Sequence, residues 1–304
     1  MLKRSSRIFV FILGLMAFGS QGTQAQVLYA ADGADGHLSN LYILNAATGA
    51  VSSTVGPIGF AVTGLAFHPT TGELYGVTTV ENSPPQPQPS LIRINPSTGA
   101  GTLIGPLGPV GCLVPPANST KPVTDITFRA DGTLFGWSRC TDDLVTINLV
   151  TGLATVVGDS GLTTSGGDGI AFSPAGILYF AGSRNNGPLR TINPVTGVPT
   201  TGPTLNGGPA PTDNPINALA FNNAGVLFGS LKNPAHIVTI NTTTGLITDV
   251  GLTVTDIDAI AFGPGTIIPP PPPPSSNGVP TLSQWAIIAL GLLIVGSLLL
   301  RRRV

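Results

Sequence analysis

Five polar residues hold equivalent places along this 304-residue chain: Thr63, Thr124, Asp168, Asn217 and Asp258. Each opens a short apolar segment that ends in Phe, and Asp125 and Asp256 stand close by. Oxygen donors converging from several segments are the ligands that Ca²⁺ takes, so a ring of these five is a candidate ion or water site. The same residue types also satisfy main-chain groups at turns, a competing reading for every one of them. His37 and His236 fall in comparable loops of the first and last repeats, where two imidazoles would suit a metal if those repeats meet. His68 reads as a turn residue, and the serine of Gly158-Asp159-Ser160-Gly161 has no matching base and acid around it. No phosphate loop, dinucleotide fingerprint or zinc motif is present, so no cofactor is expected beyond a Ca²⁺ ion.

The elements that would position these residues come as an internal repeat. "LYILNAATGAVSSTVG" (41–56) recurs at 91–105, 144–158, 189–202 and 237–251, each time as strand, Asn-x-x-Thr-Gly and strand. Asn closes an Asx-turn on its own backbone and the Gly accepts positive φ, so the motif is a turn with a mechanism. The turn asparagines, Asn45, Asn95, Asn148, Asn193 and Asn241, are spaced by 50, 53, 45 and 48 residues. That period fits one four-stranded propeller blade. Between turns lie "TGLAF" (63–67), "TDITF" (124–128), "DGIAF" (168–172), "NALAF" (217–221) and "DAIAF" (258–262), then a tight turn and "ELYG"-type strands.

Each unit therefore holds four strands, A to D, but the chain begins at B with "VLYA" (27–30) and ends at A. The expected fold is all-β, a five-bladed β-propeller in which the last A strand completes the first blade and leaves no open joint. The repeat style resembles NHL and YVTN-type propellers, and no blade carries a Trp-Asp dipeptide. A solenoid, or a larger ring with a degenerate blade hidden between Gly105 and Pro122, is the alternative. Strand direction places the short, uniform A–B and C–D turns on one face and the irregular B–C and D–A loops on the other. Loops of divergent length on a rigid scaffold are where binding usually lives, which points to the second face and to the mouth of the channel there. Cys112 and Cys140 both fall in that loop set, and in an oxidising compartment a disulfide between them would pin its longest loop.

The ends carry addresses. Lys3, Arg4 and Arg7 before an apolar run, with Thr23-Gln24-Ala25 after it, read as a signal peptide over 1–25 that signal peptidase removes. The propeller takes 26–268, a proline-rich linker 269–278, and the last segment 279–304. That segment runs Val279-Pro280-Thr281-Leu282-Ser283-Gln284-Trp285, then an apolar stretch to Leu300 and three arginines. It resembles the IPTL-CTERM sorting signal, whose usual start is Ile-Pro-Thr-Leu-Ser-Glu-Trp. The resemblance implies a tag read by an exosortase-type transpeptidase of a Gram-negative bacterium and cleaved near Pro-Thr-Leu. The apolar stretch is just long enough to span a membrane as a helix, with the arginines held on the cytoplasmic side. The chain is thus expected in the cell envelope or at the surface, at least transiently anchored in the inner membrane.

All 14 acidic residues but only seven of the 13 Lys and Arg lie within 26–268, a formal balance of −7. An acidic domain without a basic cluster speaks against nucleic acid as a partner. The expected function is a non-enzymatic, surface-displayed binding or interaction module whose ligand the sequence does not name. The alternatives are a metal-dependent hydrolase of the lactonase kind working through Asp168, Asp258 and Asn217, and a structural part of an extracellular matrix.

Overall fold

A computed structural model describes residues 26–33, 37–79, 88–108, 123–139, 141–163, 168–182, 187–209 and 216–263. These residues form five antiparallel sheets and no helix, the five-bladed propeller that the repeat predicts. The first blade is the circular one: from the axis outward it orders Ile257–Phe262, Leu28–Asp32, Asn40–Leu44 and Val51–Pro57. Leu28 pairs with Phe262 and Ala30 with Ile260, so the first and last described strands of the chain are hydrogen-bonded neighbours. Blades two, three and four run from Val62–Phe67, Val123–Phe128 and Gly169–Phe172 outward to Gly101–Pro106, Ala154–Gly158 and Pro199–Thr204. Blade five runs from Ile216–Phe221 to Leu246–Leu252. The five innermost strands touch their neighbours all the way round the ring.

One pairing departs from the simple repeat. Asn206–Gly207, which follows the outer strand of blade four, pairs in parallel with Leu246 and Ile247 of blade five. It covers part of an outer edge that is otherwise open to pairing with other chains. Its composition, Leu-Asn-Gly-Gly inside an irregular loop, carries no strand signal.

The repeat turns form as their residues dictate. In all five the asparagine Oδ1 accepts from the main-chain N–H two residues on at 2.9 Å, and the glycine N–H closes back on the asparagine carbonyl. The glycines sit at φ between 73° and 83°, where a side chain would be strained. The turns also hold blade to blade. A Cβ on Gly105, Gly158 or Gly251 would lie 2.2 Å from the carbonyl oxygen of Thr151, Thr196 or Thr48 in the following blade, too close for any atom. The last of these contacts joins blade five to blade one.

Aromatic side chains fill the junctions by the same rule. The Phe ending each innermost strand meets an aromatic from the second strand of the preceding blade: Tyr29–Phe67, Tyr75–Phe128, Phe135–Phe172, Tyr179–Phe221 and Phe228–Phe262. Ring centroids lie 5.0–5.6 Å apart in tilted or edge-on geometry, each worth about 0.5–1.5 kcal/mol beyond the area buried. Trp137 packs on Phe180 in the core between blades three and four.

Candidate functional site: the two ends of the axial channel

An innermost propeller strand pairs on one side only, so its other edge presents unpaired main-chain groups to the axis. Neighbouring blades satisfy them with side chains. Thr63 Oγ1 donates to the carbonyl of Val123 at 2.9 Å, Thr124 Oγ1 to that of Asp168 at 3.1 Å, and Asn217 Nδ2 to that of Ile257 at 3.4 Å. Each of these bonds runs to the next blade of the ring. Thr63, Thr124, Asp168, Asn217 and Asp258 are all buried, with Asn217 Nδ2 also 3.4 Å from Asp258 Oδ1. The structure therefore brings the sequence-derived ring together as a stitched layer. Among the described residues no group of three or more His, Cys, Asp or Glu is placed to hold a metal ion.

The centre of this end belongs to Asp125. Its Oδ1 accepts from the N–H of Ile126 at 2.9 Å, and its Oδ2 from Ile170 at 3.0 Å and Leu219 at 3.2 Å. One carboxyl thus joins the inner edges of three consecutive blades. Equivalent positions in the other blades are Gly64, Gly169, Ala218 and Ala259, which leave room for it; a Cβ on Gly64 would sit 2.8 Å from Asp125 Cα. Burial pushes the Asp125 pKa well above the ordinary 3.8; its three backbone N–H donors oppose the shift and the nearby Asp258 adds to it. Proximity to the ring singled out Asp125 in the sequence, but nothing there shows that it closes the channel.

Around this end, other conspicuous residues are engaged in local structure. Asp256, at φ 55°, accepts from the N–H of Gly33 through its carbonyl. Ser160 donates its hydroxyl to the carbonyl of Asp142 and its N–H to Asp143 Oδ1. Asp32 holds the N–H of Asn40 and the hydroxyl of Tyr42, whose pKa is pushed up to about 12 by burial and by that carboxylate. His236 pairs with Asp249 at 2.8 Å on the adjacent strand, while His37 is exposed. Cys112, Cys140 and the segment 279–285 lie outside the described residues.

The opposite end of the channel is open. A funnel of about 650 Å³ sits on the face of the short A–B turns, the face that sequence reasoning passed over. Its wall is made by the five strand-ending phenylalanines, Phe67, Phe128, Phe172, Phe221 and Phe262, one from each blade. Aliphatic residues one turn of the pleat deeper, including Leu65, Ile126, Leu219 and Ile260, form its floor. Asp125 lies one residue beyond that floor, so the funnel is blind. Among the described residues, no Asp, Glu, Lys or Arg lines it. The size falls within the range of small-molecule sites, about 300–1,000 Å³. The only sequence signal for it was the Phe repeated at the end of every innermost strand.

Comparison with known proteins bears on both the ring and the tail. Residues 277–303 match the IPTL-CTERM motif. The chain is therefore a propeller protein carrying an exosortase-type sorting signal, which implies an exported protein of the cell envelope. Residues 127–265, spanning blades three to five and the strand that closes the first, match a repeat of unknown function (DUF6923). A search of curated proteins finds no match. Among solved structures, a chain of a nidogen/laminin complex superposes with a TM-score of 0.50 at 15% identity, covering 79% of this chain and 98% of that one. A protein of unknown function from Bacteroides thetaiotaomicron reaches 0.49 at 14% identity, over 74% and 64% of the two chains. At such identities the nidogen likeness speaks for the propeller fold alone.

Proposed function

We propose that this protein is an exported, surface-displayed propeller that serves as a binding or interaction module. On this reading residues 1–25 are removed on export, and the apolar stretch 286–300 holds the chain in the inner membrane until an exosortase-type enzyme acts near Pro280-Thr281-Leu282. The observation that carries the reading is the match of 277–303 to the IPTL-CTERM motif behind a closed propeller. A rigid ring with a blind cavity on one face and long loops on the other is built to present surfaces.

Mass spectrometry of the surface protein, taken from a host with the cognate exosortase, tests the sorting half. The mature chain should end near residue 280, and Pro280→Ala or Thr281→Ala should leave a longer, membrane-held form. A mature protein that retains Arg301 to Val304 would overturn it.

A further inference from the structure

The geometry points to the five-phenylalanine funnel as the binding site for a neutral lipophilic small molecule that carries a hydrogen-bond acceptor at its outer end. This assignment rests on the binding-module reading and names the ligand class of its site. Three observations support it.

The first is shape: the cavity of about 650 Å³ is blind, because the inner edges behind it are drawn together around the Asp125 carboxyl. A blind apolar cavity takes a small molecule or one end of it and is closed to a chain threading the axis. The second is chemistry. Among the described residues the wall offers half-buried Phe rings and aliphatic carbons, and no Asp, Glu, Lys or Arg that would compensate an ionic ligand for its lost hydration.

The third concerns the polar groups at the rim. Several acceptor atoms there are taken by main-chain N–H groups: Ser173 Oγ by Ile177, Asn222 Oδ1 by Val226, Gln26 Oε1 by Asn223, and His68 Nδ1 by Thr70 and Thr71, while the side-chain amide of Asn223 at the same rim offers both a donor and an acceptor. Thr127 Oγ1 likewise accepts from Phe172. With both amide oxygens engaged, Asn222 and Gln26 have their N–H₂ groups left as the chemistry a ligand can use. A rim weighted toward donors above an apolar well favours a carbonyl, ether or hydroxyl oxygen on a lipophilic body.

The test is photolabelling of the full chain in detergent with 3-trifluoromethyl-3-phenyldiazirine, set against its para-carboxylate analogue, with labelled residues mapped by mass spectrometry. The neutral probe should label 65–69, 126–130, 171–176, 219–223 and 260–262 saturably. The carboxylate should label them at least about tenfold less, since the funnel gives a charge no partner. A variant with Ala130→Trp and Ala175→Trp, at exposed turn positions on the rim, should lose the saturable labelling while keeping the wild-type melting temperature. Equal labelling by the two probes would overturn the ligand class. Saturable labelling confined to 37–40 and 138–143 would overturn the funnel while leaving a binding module on the loop face. Absence of saturable labelling anywhere on the propeller would count against both.

Discussion

The two ends of the channel are built from the same five strands and do opposite things. At the loop end, polar side chains reach across from blade to blade and Asp125 bridges three of them; at the turn end, five aromatics stand back from a hollow. The contrast follows from a step of four residues along one strand, from Thr63 to Phe67 and likewise in every blade. Where a strand edge must be satisfied, the ring closes with hydrogen bonds. Where the strands end in bulky rings that pack sideways on the next blade, space is left on the axis. Variable loops mark the first end, but the described cavity belongs to the second.

Replacing Asp125 should have the largest effect at the loop end. Asp125→Ala leaves the N–H groups of Ile126, Ile170 and Leu219 buried without their acceptor, at about 1–3 kcal/mol each. The expected outcome is little folded protein, or an unfolding free energy lowered by several kcal/mol in urea denaturation. A melting temperature unchanged from wild type would show that the carboxyl is not the plug described above.

The same residue should also make stability depend on pH. Its folded-state pKa is raised above the unfolded value near 3.8, chiefly by burial, so the folded state binds more protons than the unfolded one in the interval between them. Its contribution to stability is therefore complete below about pH 4 and is lost as pH rises through the folded-state value. Denaturation at steps from pH 4 upward should show stability falling more steeply for wild type than for Asp125→Asn, which does not titrate. Parallel curves would sink the assignment.

At the aromatic end the expected effect is smaller. Phe128→Ala removes a partner of Tyr75 and of the His68 ring, but Phe128 is only half-buried. A cost of about 2–3 kcal/mol, below the 3–5 of a fully buried Phe, is expected by urea denaturation. If it exceeds the cost of Asp125→Ala, the aromatic junctions and not the polar layer hold the ring closed.

Much of this was legible in advance because it repeats. Asn45 and its four equivalents fixed the turn, and the unmatched strand at each end of the repeat array fixed the circular joint between 27–30 and 258–262. The parallel pairing of Asn206–Gly207 was not legible, since it depends on a neighbouring blade's edge and not on its own residues. Nor was the funnel. Each terminal Phe reads correctly as a packed strand residue when taken alone, and the cavity exists only when five are arranged about one axis. The ring of Thr63, Thr124, Asp168, Asn217 and Asp258 was located by its register, but register does not say whether an oxygen faces an ion or a neighbouring carbonyl.

That last distinction sets the smallest effect. Thr63→Val keeps the side chain's shape and removes the hydroxyl that donates to Val123. If the hydroxyl serves only to stitch blade two to blade three, the loss is about 1 kcal/mol, and the wild-type protein should melt at the same temperature in excess Ca²⁺ as in a chelator. If the ring instead holds Ca²⁺, the ion stabilises the folded state by RT ln(1 + [L]/Kd). Wild type should then gain on adding calcium, and Thr63→Val should lose most of that gain. Thr63→Ser keeps the hydroxyl and omits the methyl, so it should recover the loss under either reading and show that the oxygen, not the methyl, carries the effect. Melting curves of the three proteins with and without calcium decide between a neighbour's carbonyl and an ion. A calcium-dependent rise in wild type alone would move the functional centre from the aromatic funnel back to the polar end.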